Sequence, residues 1–157
     1  TSSALARSTG CKEGNCENGY GKWAYTDKTT YEGEWVGTKK HGQGTETWPN
    51  GYVYKGEFKN SLWTGLGILS FPDGSTYEGE WVGTKKNGQG TETWPNGYIY
   101  KGKFKNSMWS GLGTLTFPDG STYEGEWANG FMNGEGTFTW SDGSQKTGFW
   151  KNGKLQK

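Results

Sequence analysis

Aliphatic side chains are scarce here: Leu, Ile, Val and Phe together number 19 of 157 residues, about 12%. That is below the ~20% under which a chain reads as disordered, and it excludes an α/β enzyme built around a Leu- and Val-filled core. No apolar run approaches the ~18 residues of a bilayer-spanning helix, so a membrane-spanning protein is not expected. Charge of one sign is also lacking, with 17 basic against 16 acidic residues and a net charge of +1. A nucleic-acid binder carries a clustered basic surplus. The only basic runs here, Lys39-Lys40 and Lys85-Lys86, are too short for that or for a polybasic membrane patch. There is one histidine, and there are two cysteines.

Glycine and aromatic rings stand in place of the missing aliphatics, at 29 Gly, 10 Trp, 9 Tyr and 7 Phe. Disordered chains have few rings and high net charge, and each ring can bury roughly 150–250 Å². The composition is that of an ordered, Gly-rich β protein of one domain.

Self-similarity organises the whole chain. The segments YEGEW (31–35), YKGEF (54–58), YEGEW (77–81), YKGKF (100–104) and YEGEW (123–127) begin 23 residues apart. A G-x-G pair follows in each unit, for example Gly42/Gly44 and Gly65/Gly67, and a turn dipeptide such as Asn50-Gly51 or Asp73-Gly74 closes it. Residues 1–7 read as a tail and 8–157 as one repeat domain. Its units are 8–30, 31–53, 54–76, 77–99, 100–122 and 123–145, with a partial unit 146–157. A longer period overlies this one, since residues 31–76 and 77–122 agree at 39 of 46 positions.

Within a unit, Tyr31-Glu-Gly-Glu-Trp35 alternates ring or glycine with charge, the period-2 pattern of a half-buried strand. Asn-Gly and Asp-Gly are hairpin signals that suit type I′ turns, and recurrent glycine argues against helix. The fold class expected is all-β: an elongated, single-layer antiparallel β-hairpin meander or solenoid of some thirteen strands. A single layer leaves its apolar face uncovered. The structural glycines Gly33, Gly44, Gly79, Gly90, Gly125 and Gly136 answer this, because rings such as Tyr31, Trp35 and Trp48 can lie flat against bare backbone.

Y-x-G-x-W/F, then N-G or a variant, then G-x-G, then D/N-G at this step resembles the MORN (membrane occupation and recognition nexus) repeat family over nearly the whole chain. Unit 8–30 departs from it by lacking the leading Tyr and the Trp, and Gly37-Thr38 and Gly83-Thr84 stand where the family prefers Asn-Gly. The resemblance implies an assembly or tethering scaffold rather than an enzyme, with no cofactor.

The chemistry-bearing residues agree with that expectation. His41 becomes Asn87 in the sister block, so it reads as a turn-region residue rather than a base or ligand. Glu32/Glu34 and their copies read as a solvated sheet face with mixed charge rather than a glycosidase pair. No catalytic or metal residue is assigned. Cys11 and Cys16 make a poor zinc site; a disulfide clamping the first turn fits better, and free thiols are the alternative. A disulfide implies a secreted or cell-envelope location, and its absence a cytoplasmic or membrane-peripheral one. The candidate binding residues are the rings of the apolar face, Tyr31, Trp35, Tyr77, Trp81, Tyr123 and Trp127, together with Trp63 and Trp109. The last two occupy positions where the sister units carry lysine. The function expected is a non-catalytic scaffold for a protein partner or a second copy of itself. Anionic lipid and a secreted carbohydrate-binding aromatic platform are the weaker readings, and no nucleic-acid partner is expected.

Overall fold

Alternation becomes strand geometry along the chain. The computed structural model describes residues 9–157. The tail 1–7, and Ser8 at the head of unit 8–30, lie outside the described residues. The strands are β1 (Gly10–Gly14), β2 (Asn18–Ala24), β3 (Thr30–Val36), β4 (Lys39–Thr47), β5 (Val53–Lys59), β6 (Leu62–Ser70) and β7 (Thr76–Val82). They continue as β8 (Lys85–Thr93), β9 (Ile99–Lys105), β10 (Met108–Thr116), β11 (Thr122–Ala128), β12 (Phe131–Thr139), β13 (Gln145–Lys151) and β14 (Lys154–Leu155). Strand order is chain order in one open antiparallel sheet. Among the described residues there are fourteen strands rather than some thirteen, because the final fragment turns back into β14. The chain divides into two compact units, one running to Pro72 and including Trp81–Thr84, the other comprising Asp73–Glu80 and Lys85–Lys157. The two are built alike.

Each long hairpin buries one face. In β3, Tyr31, Gly33 and Trp35 are buried while Glu32, Glu34 and Val36 are exposed. Pairing then aligns glycines across neighbouring strands. In the first unit the row is Gly14, Gly21, Gly33, Gly44, Gly56 and Gly67. In the second it is Gly90, Gly102, Gly113, Gly125, Gly136 and Gly148. A Cβ on Gly33 would stand 2.5 Å from the Gly44 Cα and 2.6 Å from the Tyr31 hydroxyl, and Gly125 faces Gly136 and Tyr123 in the same way. Only glycine fits beneath the ring. Tyr31, Tyr54, Tyr77, Tyr100 and Tyr123 consequently have no exposed surface.

The two hairpin ends use different turns, and they are exchanged relative to the sequence expectation. Asn50-Gly51 is not a type I′ pair, for only Gly51 has positive φ (+92°). Its N–H donates to the Trp48 carbonyl at 3.0 Å, and the Trp48 N–H donates to the Tyr52 carbonyl at 2.9 Å. This is a three-residue loop: a type I turn with Pro49 at its second position, then a left-handed glycine. Related loops hold the Asp73 carboxyl below the usual range, because the Ser75 hydroxyl and amide donate to it. The type I′ pairs lie at the opposite end, at Gly37-Thr38 (φ +56°, +63°), Asn60-Ser61 (+51°, +66°) and Asn129-Gly130 (+50°, +81°). The second residue of each donates its N–H to the preceding hairpin: Thr38 to the Glu17 carbonyl at 3.0 Å, Ser61 to Lys40 at 2.9 Å, Gly130 to Trp109 at 3.0 Å.

G-x-G is a bulge. Gly33 pairs with Gly44, and then Glu34 pairs with His41, leaving Gly42-Gln43 looped out. The carboxylate of Glu34 accepts the stranded Gln43 N–H at 3.1 Å; Glu57 does the same for Leu66 and Glu80 for Gln89 at 3.1 Å, and Glu126 for Glu135 at 2.8 Å. The second glutamate of each YEGEW is therefore a bulge cap, not merely solvated charge. His41 lies on β4 at the bulge rather than in a turn.

The first hairpin breaks step. Gly14, not Gly10, pairs with Gly21, and Gly10 pairs with Ala24, so β1 does not hold the place that the 23-residue step gives it. Cys11 and Cys16, Cα atoms 5.9 Å apart, are joined by a disulfide where β1 leads towards β2.

Two substitutions test this architecture. Lys103 occupies a bulge-capping position, so Lys103→Glu supplies the carboxylate for Leu112 N–H and should raise unfolding free energy by ~1 kcal/mol in guanidinium titration. Gly125→Ala drives a methyl into the Gly136 backbone and should lower it by roughly 3 kcal/mol.

Candidate functional site

The buried tyrosine organises the groups around it. Its hydroxyl donates to the carbonyl three residues on, which the bulge leaves free: Tyr31 to Glu34 at 2.9 Å, Tyr54 to Glu57 at 3.1 Å, Tyr100 to Lys103 at 3.0 Å. Indole N–H groups satisfy carbonyls of the glycine row. Trp35 donates to Gly21 and Trp81 to Gly67 at 3.1 Å, and Trp127 to Gly113 at 3.0 Å. Trp35, Trp81 and Trp127 are 3–4% exposed. Six of the candidate binding rings, Tyr31, Trp35, Tyr77, Trp81, Tyr123 and Trp127, are thus core. With no second layer, the sheet must bury its largest rings on itself, which withdraws them from any ligand.

In β4, β6, β8 and β10 the second residue covers the tyrosine, and it alternates. In β4 and β8 it is Lys40 and Lys86. Lys40 is buried and pairs with Glu46, with its Nζ 5.1 Å from the Tyr25 ring and 5.3 Å from the Tyr31 ring. Lys86 pairs with Glu92, 4.9 Å from the Tyr77 ring. In β6 and β10 it is Trp63 and Trp109. Trp63 stacks on Tyr54 at 4.2 Å and 2°, Trp109 on Tyr100 at 4.3 Å and 5°.

Trp63 and Trp109 are half-buried, and each meets a second half-exposed indole. Trp48 stands 5.7 Å from Trp63 at 71°, and Trp94 stands 5.9 Å from Trp109 at 73°. In the second unit Trp94, Asn96, Tyr98 and Trp109 line a notch of about 160 Å³, and Trp48, Asn50, Tyr52 and Trp63 are the corresponding residues of the first. The Trp109 indole N–H donates to Glu92 at 2.8 Å, which fixes that ring. The sequence singled out Trp63 and Trp109; it missed Trp48 and Trp94 as their partners, although both recur at 46 residues. A larger open cleft of about 950 Å³ lies at the first hairpin, among Trp23, Tyr25, Trp35 and the disulfide.

Other exposed apolar side chains lie on the opposite, charged face. Leu66 and Leu112, the middle residues of their G-x-G bulges, are 63% and 71% exposed. The signal was present, since the sister bulges carry Gln43 and Gln89 there. Among the described residues no cluster of His, Cys, Asp and Glu is placed to hold a metal ion.

Hairpins repeated in one open sheet, each burying a tyrosine on its own glycine row, define a β-hairpin repeat protein. The chain belongs to the MORN repeat family: the MORN repeat model matches residues 31–51, 54–76, 77–97, 100–122 and 123–145, more than half of its length. The matched segments begin at residue 31, after the out-of-step hairpin. Alsin of Rattus norvegicus is 50% identical over 38 residues, 24% of this chain and 2% of that protein. Alsin of Homo sapiens is 47% identical over 38 residues, with the same shares. The ALS2 C-terminal-like protein of Mus musculus is 46% identical over 41 residues, 26% of this chain and 4% of that protein. The chain spans only a few per cent of these relatives. Among solved structures, it resembles the SAS-4 TCP domain of Drosophila melanogaster, determined in complex with a proline-rich motif of Ana2. That likeness has a TM-score of 0.59 and 11% identity, and covers 88% of this chain and 77% of that one. An E1021V mutant of the Danio rerio CPAP TCP10 domain gives a TM-score of 0.50 at 15% identity, over 83% and 61%. The likeness is one of fold. The chain is a repeat scaffold.

The tyrosine core makes the fold alkali-sensitive. Burial, with nearby carboxylates second, raises Tyr25 to about 12 and pushes up Tyr31, Tyr54, Tyr77 and Tyr123. A pKa raised above the ordinary value of ~10 contributes stability that is complete below that pH and is lost as pH rises through the folded value. Tyrosinate absorbance and sheet circular dichroism should therefore change together above pH ~10. Ionisation of all nine tyrosines near that pH with the sheet intact would contradict this packing.

Proposed function

We propose that this chain is a non-catalytic scaffold whose paired tryptophans take up an extended segment of a protein partner. The observation that carries this is the Trp48–Trp63 pair and its counterpart Trp94–Trp109, half-exposed and nearly identical in geometry. Two indoles at a steep angle, one held flat on the core, make a V-shaped slot for a flat, rigid ring. A proline-rich strand in the polyproline II conformation suits such slots, because it is already extended and loses little entropy on docking. The proline-rich motif seen with the fold-related SAS-4 TCP domain supports the same class of ligand. The anionic-lipid reading is weakened, since Lys40 and Lys86 are engaged with Glu46 and Glu92 rather than turned to solvent.

A synthetic proline-rich dodecamer should change tryptophan fluorescence saturably, and a Gly-Ser peptide of the same length should not. Trp48→Ala with Trp94→Ala should weaken binding about 30-fold, the scale of an interface hot spot, while the thermal midpoint stays near that of the parent. Equal response to both peptides would count against the reading.

A further inference from the structure

The two tryptophan slots match in ring geometry and differ in one hydrogen bond. Trp63 stacks on Tyr54 at 4.2 Å and Trp109 on Tyr100 at 4.3 Å. Asn50 and Tyr52 of the first slot have the counterparts Asn96 and Tyr98 in the second. The Trp109 indole N–H is held by the Glu92 carboxylate at 2.8 Å. The Trp63 N–H has no such partner. Among the described residues, Thr29 Oγ1 alone is a buried side-chain polar atom without a hydrogen bond, so the unpaired N–H of half-buried Trp63 reaches solvent.

The matching carboxylates account for the difference. Glu46 holds in the first unit the place of Glu92 in the second. It pairs with Lys40, whose Nζ lies 5.1, 5.3 and 5.9 Å from the rings of Tyr25, Tyr31 and Phe58. The tyrosines sense the same placement. Burial and then Glu46 raise Tyr25; burial, Glu34 and then Glu46 raise Tyr31. Tyr54, beneath Trp63, is raised by burial and Glu57 instead. Tyr100, beneath Trp109, is raised by burial and then by Glu92. Glu92 thus reaches its tryptophan slot, and Glu46 does not.

A free donor suits a proline-rich strand. Its prolines lack N–H groups and its backbone makes no internal hydrogen bonds, so it presents carbonyl oxygens with little to donate. An indole N–H can only donate. A slot with an unpaired N–H therefore complements this ligand better than one whose N–H a carboxylate already holds.

We propose that Trp63 is the specificity-determining residue of the first-unit slot, its indole N–H donating to a backbone carbonyl of a proline-rich strand, so that this slot binds more tightly than its second-unit counterpart. The inference rests on the proline-rich reading above and adds which slot leads and through which atom.

The full chain with isotope-labelled indole nitrogens tests this by nuclear magnetic resonance, the Trp63 and Trp109 signals being assigned from Trp63→Phe and Trp109→Phe. In the free chain the Trp63 indole proton should exchange with deuterated water about tenfold faster than that of Trp109, because only the latter is hydrogen-bonded. On titration with the synthetic proline-rich dodecamer, the Trp63 indole proton should move downfield and its exchange should slow, while that of Trp109 changes little. Trp63→Phe keeps a ring on Tyr54 and should weaken peptide binding about fivefold more than Trp109→Phe, the scale of one neutral hydrogen bond. Thermal midpoints of the two variants should stay close to each other. Equal exchange in the free chain, a Trp63 proton unmoved by bound peptide, or equal losses from the two variants would each overturn this inference while leaving the proline-rich reading standing. No saturable response of any indole to the peptide would overturn that reading, and this inference with it.

Discussion

A tyrosine ring pressed onto a row of glycines substitutes for the second layer that this sheet lacks. A ring can come within contact of backbone only where no Cβ intervenes, and Gly33 with Gly44 provides that bare strip under Tyr31. The other parts of the repeat follow from keeping the ring there. Its hydroxyl is buried and needs an acceptor, which the bulge supplies by freeing the Glu34 carbonyl. The bulge strands the Gln43 amide, and the Glu34 carboxylate satisfies it. Tyr, Gly, Glu and G-x-G are one device, and burial stays local to neighbouring hairpins as in other repeat proteins.

What lies above the tyrosine is where the repeats diverge. Lys40 with Glu46, and Lys86 with Glu92, fill the space with an ion pair set among rings; Trp63 with Leu69 and Trp109 with Leu115 fill it with apolar groups. A buried ion pair gives little net stability against its desolvation cost, though attraction of the ammonium to the ring faces offsets part of it. Stacked flat over Tyr54 and Tyr100, the indoles of Trp63 and Trp109 are half-buried, unlike Trp35, Trp81 and Trp127 in the core. Each stands beside Trp48 or Trp94, so the 46-residue period of the sequence recurs as one accessible aromatic slot in each unit.

The repeat length, the alternation of faces and the glycine row were legible from the chain because each is a local pattern with its own period. Turn type was not. Asn50-Gly51 reads as a type I′ signal, but Pro49 favours a type I turn and moves the left-handed residue to Gly51 alone. Gly37-Thr38, which departs from the preferred Asn-Gly, adopts I′ geometry although a β-branched residue resists positive φ. The candidate binding rings were legible only as a set. Periodicity puts Trp35 and Trp63 on one face but does not tell that the first donates to the Gly21 carbonyl in the core while the second keeps an open edge.

By itself the sequence determined the family, the all-β repeat and its 23-residue step, because those depend on spacing along the chain. Tertiary structure alone decided which rings and charges remain for a partner. Lys40 and Lys39 are neighbours in sequence, yet one is buried against Glu46 and the other is in solvent. Likewise β1 left the repeat register, pairing Gly14 with Gly21. Accessibility is fixed by what the adjacent strand brings opposite a residue, and pairing across strands is a property of register and packing rather than of local pattern.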